Sequence, residues 1–246
     1  AQTNSHGEPD GAIKTVGYDW WEAGEQHGYI VVAPHSSIEE DRQKHRWFWK
    51  NGDDRNDYLF TELLAAWVVE GLSADPNRLF AAGHSSGGIF SYSWASGGPL
   101  QEPLYSTDAD LFRAISPSGA NLILDTVMAP ESTKVSVLHL QGENDTIQYW
   151  ELSAETGTTV EGHGAALFHE NADGFWFPTW SENHASTIGE WGQAAGCMGM
   201  PDIDLADDCW HVYRYDTCTS DALVEARKML NCGHGVGEEN VRFSFF

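Results

Sequence analysis

Along the chain, short uninterrupted apolar runs alternate with stretches in which apolar side chains recur every three or four positions. Gly28-Tyr29-Ile30-Val31-Val32-Ala33-Pro34 is β-branched at its centre and bounded by Gly and Pro, which predicts a strand buried on both faces. The segment Tyr18 to Gly24 before it predicts a helix packing on that strand. From Asp57 to Leu72, the positions Leu59, Phe60, Leu63, Leu64, Trp67, Val68 and Leu72 follow the period of an amphipathic helix. A turn at Asp75-Pro76-Asn77 leads into a second buried strand, Arg78 to Ala82, followed by a glycine and a helix over about Ser86 to Ala95. Phe112 to Ser116 and Val135 to Leu140 predict two more strands, and Trp210 to Thr217 with Leu223 to Leu230 predict a hairpin. Strands alternating with helices indicate an α/β architecture with a mainly parallel sheet and flanking helices. No internal repeat is visible, and residues 1–246 read as one domain. Between about 150 and 190 the periodicity gives way to Gly, Thr, His and aromatic residues, an irregular excursion over the sheet.

Composition narrows the classes. With 246 residues, 41% hydrophobic and 20% charged, the chain can bury a sizeable core, so disorder, collagen and coiled coil are excluded. No apolar run approaches the roughly 18 residues a membrane helix needs. Thirteen Lys plus Arg against 37 Asp plus Glu give a formal net charge of −24 and no basic stripe, which argues against nucleic acid and anionic membranes as partners. The acidity reads as solubility or adaptation to salt. Eleven Trp, eight Tyr and eleven Phe exceed what a core of this size usually takes and suit flat, amphipathic ligands.

All four cysteines, Cys197, Cys209, Cys218 and Cys232, lie in the last fifth of the chain without a C-x-x-C pair. That pattern predicts two local disulfides and an oxidising compartment rather than zinc or redox chemistry. Ala1-Gln2-Thr3 suits the start of a mature secreted chain. If the hairpin turns at Thr219 to Ala222, Cys218 faces Leu223 and counting outward sets Cys209 opposite Cys232, within bridging distance. Cys197 is then left for Cys218.

The strongest chemical signal is Gly83-His84-Ser85-Ser86-Gly87-Gly88, a G-x-S-x-G where a predicted strand ends and a helix begins. There a serine on a tight, strained turn projects its Oγ above the sheet, and flanking glycines remove colliding Cβ atoms. The first N–H of the following helix, on Ser86, is the natural oxyanion donor. A serine needs a base and an acid to orient it, in chain order Ser, Asp, His. Asp145 follows strand Val135–Leu140 in Gln141-Gly142-Glu143-Asn144-Asp145, with Glu143 a nearby competitor. His234 follows strand Leu223–Leu230 between two glycines, a setting no other of the eleven histidines has. His84 reads as a local packing or hydrogen-bonding residue. His163, His169 and His184 lack metal spacing. Asp202, Asp204, Asp207 and Asp208 lack the glycine and terminal glutamate of an EF-hand and read as a solvated acidic loop. No metal site is expected.

The stretch from Asp75 to Tyr92 resembles the elbow region of the polyhydroxybutyrate-depolymerase and feruloyl-esterase group of α/β-hydrolases. The likeness continues in Gly28–Pro34, in His139-Leu140-Gln141-Gly142-Glu143-Asn144-Asp145 and in the cysteine-flanked strand ending at Gly233-His234. It implies an α/β-hydrolase fold and a secreted, cofactor-free carboxylic-ester hydrolase with Ser85, Asp145 and His234 as its triad, acting on feruloyl-type or polyester substrates. The group's members carry a hydrophobic strand running into a His-Gly turn that supplies the second oxyanion donor, whereas here only Ala1 to Ser5 precede His6-Gly7; the expectation is that the usual N-terminal strand is missing or unrecognisable, and either His6-Gly7-Glu8 forms the turn without it or the second donor comes from elsewhere. In the Trp-rich irregular excursion, Trp150, Phe175, Trp176 and Trp180 are expected to line the cleft, the alternative being a mini-core that packs the excursion down, and the chain is expected to be a monomer. The competing readings are a serine peptidase of the same fold and a catalytically weak carbohydrate- or polymer-binding homologue.

Overall fold

A computed structural model describes residues 20–34, 38–39, 44–45, 47, 57–98, 108–121, 133–148, 187–198, 201–207 and 210–234. Helix α1 covers 20–27, and a two-residue antiparallel pair, β1 (Ile38–Glu39) with β2 (Lys44–His45), follows. Helix α2 runs Asp57–Leu72, and a 3-10 turn at Pro76–Arg78 is capped by the Asp75 carboxylate, which accepts from the Asn77 N–H. Then come β3 (Phe80–His84), α3 (Ser86–Ala95), β4 (Ala114–Ser118), β5 (Ser136–Gly142), α4 (Thr187–Ala194), β6 (Asp202–Asp207), β7 (Trp210–Tyr215) and β8 (Val224–Met229).

Strands β3 to β8 form one six-stranded sheet in the order β3-β4-β5-β8-β7-β6. The β3-β4-β5-β8 half is parallel; β7 and β6 are antiparallel additions. Helix α3 packs on β3 and β4, and α4 on β8. The core lies where the in-register row Ile115, Val137 and Val224 meets Tyr92 of α3 and Ile188 and Trp191 of α4. Trp191 is fully buried and its Nε1–H donates to the Val135 carbonyl at 2.9 Å, which seats α4 on the start of β5. A second cluster joins Tyr58 of α2 to Ile89, Phe90 and Trp94 of α3. This is the α/β architecture with a mainly parallel sheet that the alternation of elements anticipates, and the α/β-hydrolase type of fold that the resemblance implies.

Four expectations are corrected. Residues 29–34 form no ladder with any described strand, although Gly24 of α1 packs against Val31 as the predicted helix contact requires. A cavity of about 500 Å³ lies between this segment and β3, so the run lacks the hydrogen-bonding neighbour a strand needs. Helix α2 has the predicted bounds, but its apolar face is only partly covered: Phe60 stacks on Trp47, whereas Leu63 is 62% and Trp67 55% exposed. The stretch expected to be an acidic loop is instead edge strand β6 through Asp207, and alternating exposed aspartates such as Asp202 and Asp204 suit an edge that must not pair further.

The hairpin register is also displaced by two residues. Tyr215 pairs with Val224 and Trp210 with Met229, two residues away from the register in which Cys218 would face Leu223. The cause lies in the connection. Met198 N–H donates to the Thr217 carbonyl, and the N–H groups of Thr219 and Ser220 donate to Gly196 and Ala195, pulling 217–220 out of the hairpin turn. Cys197 and Cys218 are thereby bridged, as expected. Cys232 is a free thiol, so the expected Cys209–Cys232 bridge does not form; Cys209 itself lies outside the described residues.

Candidate active site

Strands β3, β5 and β8 run in the same direction, so the loops leaving their C-terminal ends gather on one rim, where open α/β sheets hold their ligands. Ser85 follows β3, Asp145 follows β5 and His234 follows β8.

Ser85 is bent into the left-handed region, with φ 51° and ψ −119°. Its N–H donates to the Ser118 carbonyl at 2.8 Å and its carbonyl accepts from Ile89 N–H at 3.0 Å, so neighbouring β4 and the first turn of α3 hold the bend. The glycines are sterically required. A Cβ on Gly83 would lie 2.3 Å from the Gly87 carbonyl carbon and oxygen, and one on Gly88 would lie 2.6 Å from the Ala120 Cβ. Helix α3 therefore starts hard against the ends of β3 and β4, with its first-turn N–H groups, that of Ser86 included, lacking intrahelical acceptors.

Asp145 and His234 are brought together. His234 Nδ1–H donates to Asp145 Oδ2 at 2.9 Å, while Asp145 Oδ1 accepts the backbone N–H of Ile147 at 2.8 Å and of Gln148 at 2.9 Å. Burial pushes the Asp145 carboxyl up, but the hydrogen bonds from His234, Gln148 and Ile147 and the attraction of the imidazole outweigh it and leave the group below its usual value. A carboxylate only accepts, so Nδ1 carries a proton, and in the neutral imidazole the lone pair is on Nε2. That Nε2 is buried and has no hydrogen-bond partner, Ser85 Oγ included. The imidazole reaches the elbow through His84, whose ring centroid is 4.9 Å from its own. His84 Nδ1 lies 3.2 Å from Ser118 Oγ, a local role at the variable position of the elbow. Glu143 is turned away from the dyad: its Oε2 accepts the Asn231 N–H at 3.2 Å and its Oε1 lies 3.8 Å from Lys228 Nζ.

The cavity beside β3 touches the elbow at Gly83 and Gly87 but takes in none of Ser85, Asp145 and His234. Trp150, Phe175, Trp176, Trp180 and the His6-Gly7 turn lie outside the described residues. Among the described residues no group of three His, Cys, Asp or Glu side chains could hold a metal ion, and no helix is long and apolar enough to cross a membrane.

The residues beneath the Asp145 loop belong to no motif legible in the sequence. His139, Gln141, Gln148 and Asn121 are fully or almost fully buried. The available signal was two polar side chains, His139 and Gln141, two apart in a strand that is otherwise apolar enough to be central.

Among solved structures, the chain is similar to an acetyl xylan esterase from Aspergillus awamori, with a TM-score of 0.57 at 14% identity over 92% of this chain and 81% of that one. This likeness is one of fold. No protein family and no curated relative matches the sequence.

Proposed function

We propose that the chain is a serine carboxylic-ester hydrolase working through an acyl-enzyme. The observation that carries the reading is the Asp145–His234 hydrogen bond, which leaves a lone pair on His234 Nε2 beside the strained turn bearing Ser85. Ser85 Oγ attacks the ester carbonyl as its proton passes to His234 Nε2, and the Ser86 N–H faces the oxyanion. The imidazolium returns the proton to the leaving alcohol. Water then repeats the sequence on the acyl-enzyme, with Asp145 holding the imidazole in one tautomer throughout. Charge stays among these groups, so the proposed reaction needs no cofactor.

The substrate class is proposed as feruloyl-type or polyester, met by an aromatic cleft that includes Trp150, Phe175, Trp176 and Trp180. The fold neighbour's name adds acetylated polysaccharide to what should be tried. Secretion follows from the reading of the cysteines and accords with the Cys197–Cys218 bridge. The test is labelling by a fluorophosphonate probe together with hydrolysis of p-nitrophenyl acetate, methyl ferulate, acetylated xylan, polyhydroxybutyrate and an aromatic polyester. Ser85→Ala should abolish labelling and lower turnover by several orders of magnitude in a folded protein. A folded Ser85→Ala variant retaining a tenth of the activity refutes the assignment.

A further inference from the structure

Four buried polar side chains lie beneath the acid loop, and the ester-hydrolase mechanism makes no use of them. His139 and Gln141, two apart on β5, share the face of the sheet that α3 covers. Tyr92 Oη lies 2.7 Å from His139 Nδ1, and His139 Nε2 lies 2.7 Å from Gln141 Oε1. Gln141 Nε2 donates to the Gln148 carbonyl, and Gln148 Oε1 accepts the Asn121 N–H at 3.0 Å.

Chemistry gives this chain one direction. The Gln148 carbonyl only accepts, so the Gln141 amide group must present its nitrogen there and its oxygen to His139. His139 therefore carries its proton on Nε2, and its bare Nδ1 accepts the Tyr92 hydroxyl proton. Donation runs Tyr92 to His139 to Gln141 to the peptide group of Gln148. That residue's N–H in turn donates to Asp145 Oδ1 at 2.9 Å. Gln148 is thus held at its carbonyl, its side-chain oxygen and its N–H.

Among the described residues the loop is otherwise tied near its start, where the Glu143 N–H donates to the Met229 carbonyl and the Asn144 N–H to that of Cys232. Glu143, Asn144, Thr146 and Ile147 are exposed; only Asp145 and Gln148 are buried. A packing role alone would be served by leucine at 139 and 141, without the desolvation a buried polar chain demands.

We infer that Tyr92, His139 and Gln141 are positioning residues, a buried one-way hydrogen-bond chain that fixes Gln148 and through it aims the Asp145 carboxylate at His234. The inference rests on the ester-hydrolase reading of that dyad. Breaking the chain replaces neither Ser85, His234 nor Asp145 and changes only how the dyad is aligned, so it acts on kcat and not on KM.

The test starts with the wild-type protein, scored by fluorophosphonate labelling, p-nitrophenyl acetate hydrolysis and the far-downfield proton resonance of the His234–Asp145 hydrogen bond. Gln141→Leu should lower kcat by about 10- to 100-fold at near-constant KM and broaden or shift that resonance. His139→Gln, which keeps an N–H facing Gln141, should retain most of the turnover that His139→Leu loses. If Gln141→Leu does not fold, Tyr92→Phe decides: a drop in kcat at constant KM supports the inference, and wild-type kcat overturns it. Folded Gln141→Leu with wild-type kcat and an unmoved resonance also overturns it, as does equal loss in His139→Gln and His139→Leu. A wild-type protein that shows the resonance but neither labels nor hydrolyses defeats the ester-hydrolase reading instead, and the resonance of the variants still tests the positioning chain.

Discussion

Gly142 closes β5 at the point where the acid and base loops meet, and an added methyl group there tests how tightly the dyad is clamped. A Cβ at Gly142 would lie 2.1 Å from the Gly233 carbonyl oxygen, 2.5 Å from that of Cys232 and 2.8 Å from the Cys232 carbonyl carbon. Backbone cannot swing aside as a side-chain tip can, and ordinary contacts between such atoms need about 3.5 Å, so the two loops must part by roughly 1 Å. They are tied at that spot, the Glu143 N–H to the Met229 carbonyl at 2.9 Å and the Asn144 N–H to the Cys232 carbonyl at 2.8 Å. The displacement therefore reaches the 2.9 Å His234–Asp145 hydrogen bond. Overpacking of this kind costs about 1–3 kcal/mol, which for a chain of this length lowers the melting temperature by roughly 2–12 °C. A misplacement of about 1 Å at a catalytic group costs on the order of 100-fold in turnover. The assay is kcat for p-nitrophenyl acetate beside thermal melting of Gly142→Ala and Gly233→Ala. The second variant is the control, because a Cβ at Gly233 meets nothing nearer than the Asn144 carbonyl oxygen at 4.0 Å. Equal kcat and equal melting in the two variants would refute the clamp.

Replacing Cys197 and Cys218 together by Ser opens a loop of sequence separation 21. It should cost about 3 kcal/mol in chemical denaturation, with kcat little changed because the bridge lies at the far end of β7 and β8 from the dyad. Burial holds His139 at a pKa of about 4, against smaller upward pulls from Gln141 and Asp145. As pH falls from about 6.5 towards 4 the unfolded chain takes up a proton there that the folded chain refuses, so stability drops, by on the order of 3 kcal/mol in all. Melting temperatures between pH 7 and pH 4.5 should therefore fall more steeply in the wild-type protein than in His139→Gln; parallel curves would contradict the assignment. Trp176→Ala and Trp180→Ala should raise KM for polymeric or bulky esters more than for p-nitrophenyl acetate, and equal effects on both would place those side chains outside the cleft.

The elements legible in the sequence are those whose cause is local. Helix α3 could be placed because Gly83-His84-Ser85-Ser86-Gly87 carries both the strand end and the helix start, and α2 because sixteen residues repeat one period. Strands β4 and β5 appear two residues and one residue later than their apolar runs begin, since pairing rather than hydrophobicity sets where a ladder starts. Asp145 and His234 could be picked out because glycines and strand ends flag their loops, and the hydrogen bond between them spans 89 positions that no local pattern reports. The failures have the same origin. The hairpin register depended on what residues 195–198 do to 217–220, and the acidic stretch from Asp202 became a strand only because β7 lay beside it. The Tyr92–His139–Gln141 chain was illegible because each member alone passes for an ordinary polar residue.

Strand β5 sits between β4 and β8, and its β8 partner is synthesised last: Val137 lies opposite Val224, 87 residues further on. At ordinary translation rates of about 5–20 residues per second, a nascent chain waits roughly 4–18 s between making the two. During that interval all seven residues of β5, buried in the finished fold, present an open edge with Val137, Leu138 and Leu140 uncovered, of the kind that aggregates or recruits chaperones. His234 arrives just after the strand that closes this edge. Acquiring the dyad and losing the sticky edge are therefore one event in the life of the polypeptide, and any chain stalled or clipped before β8 at once lacks the dyad and is prone to self-association.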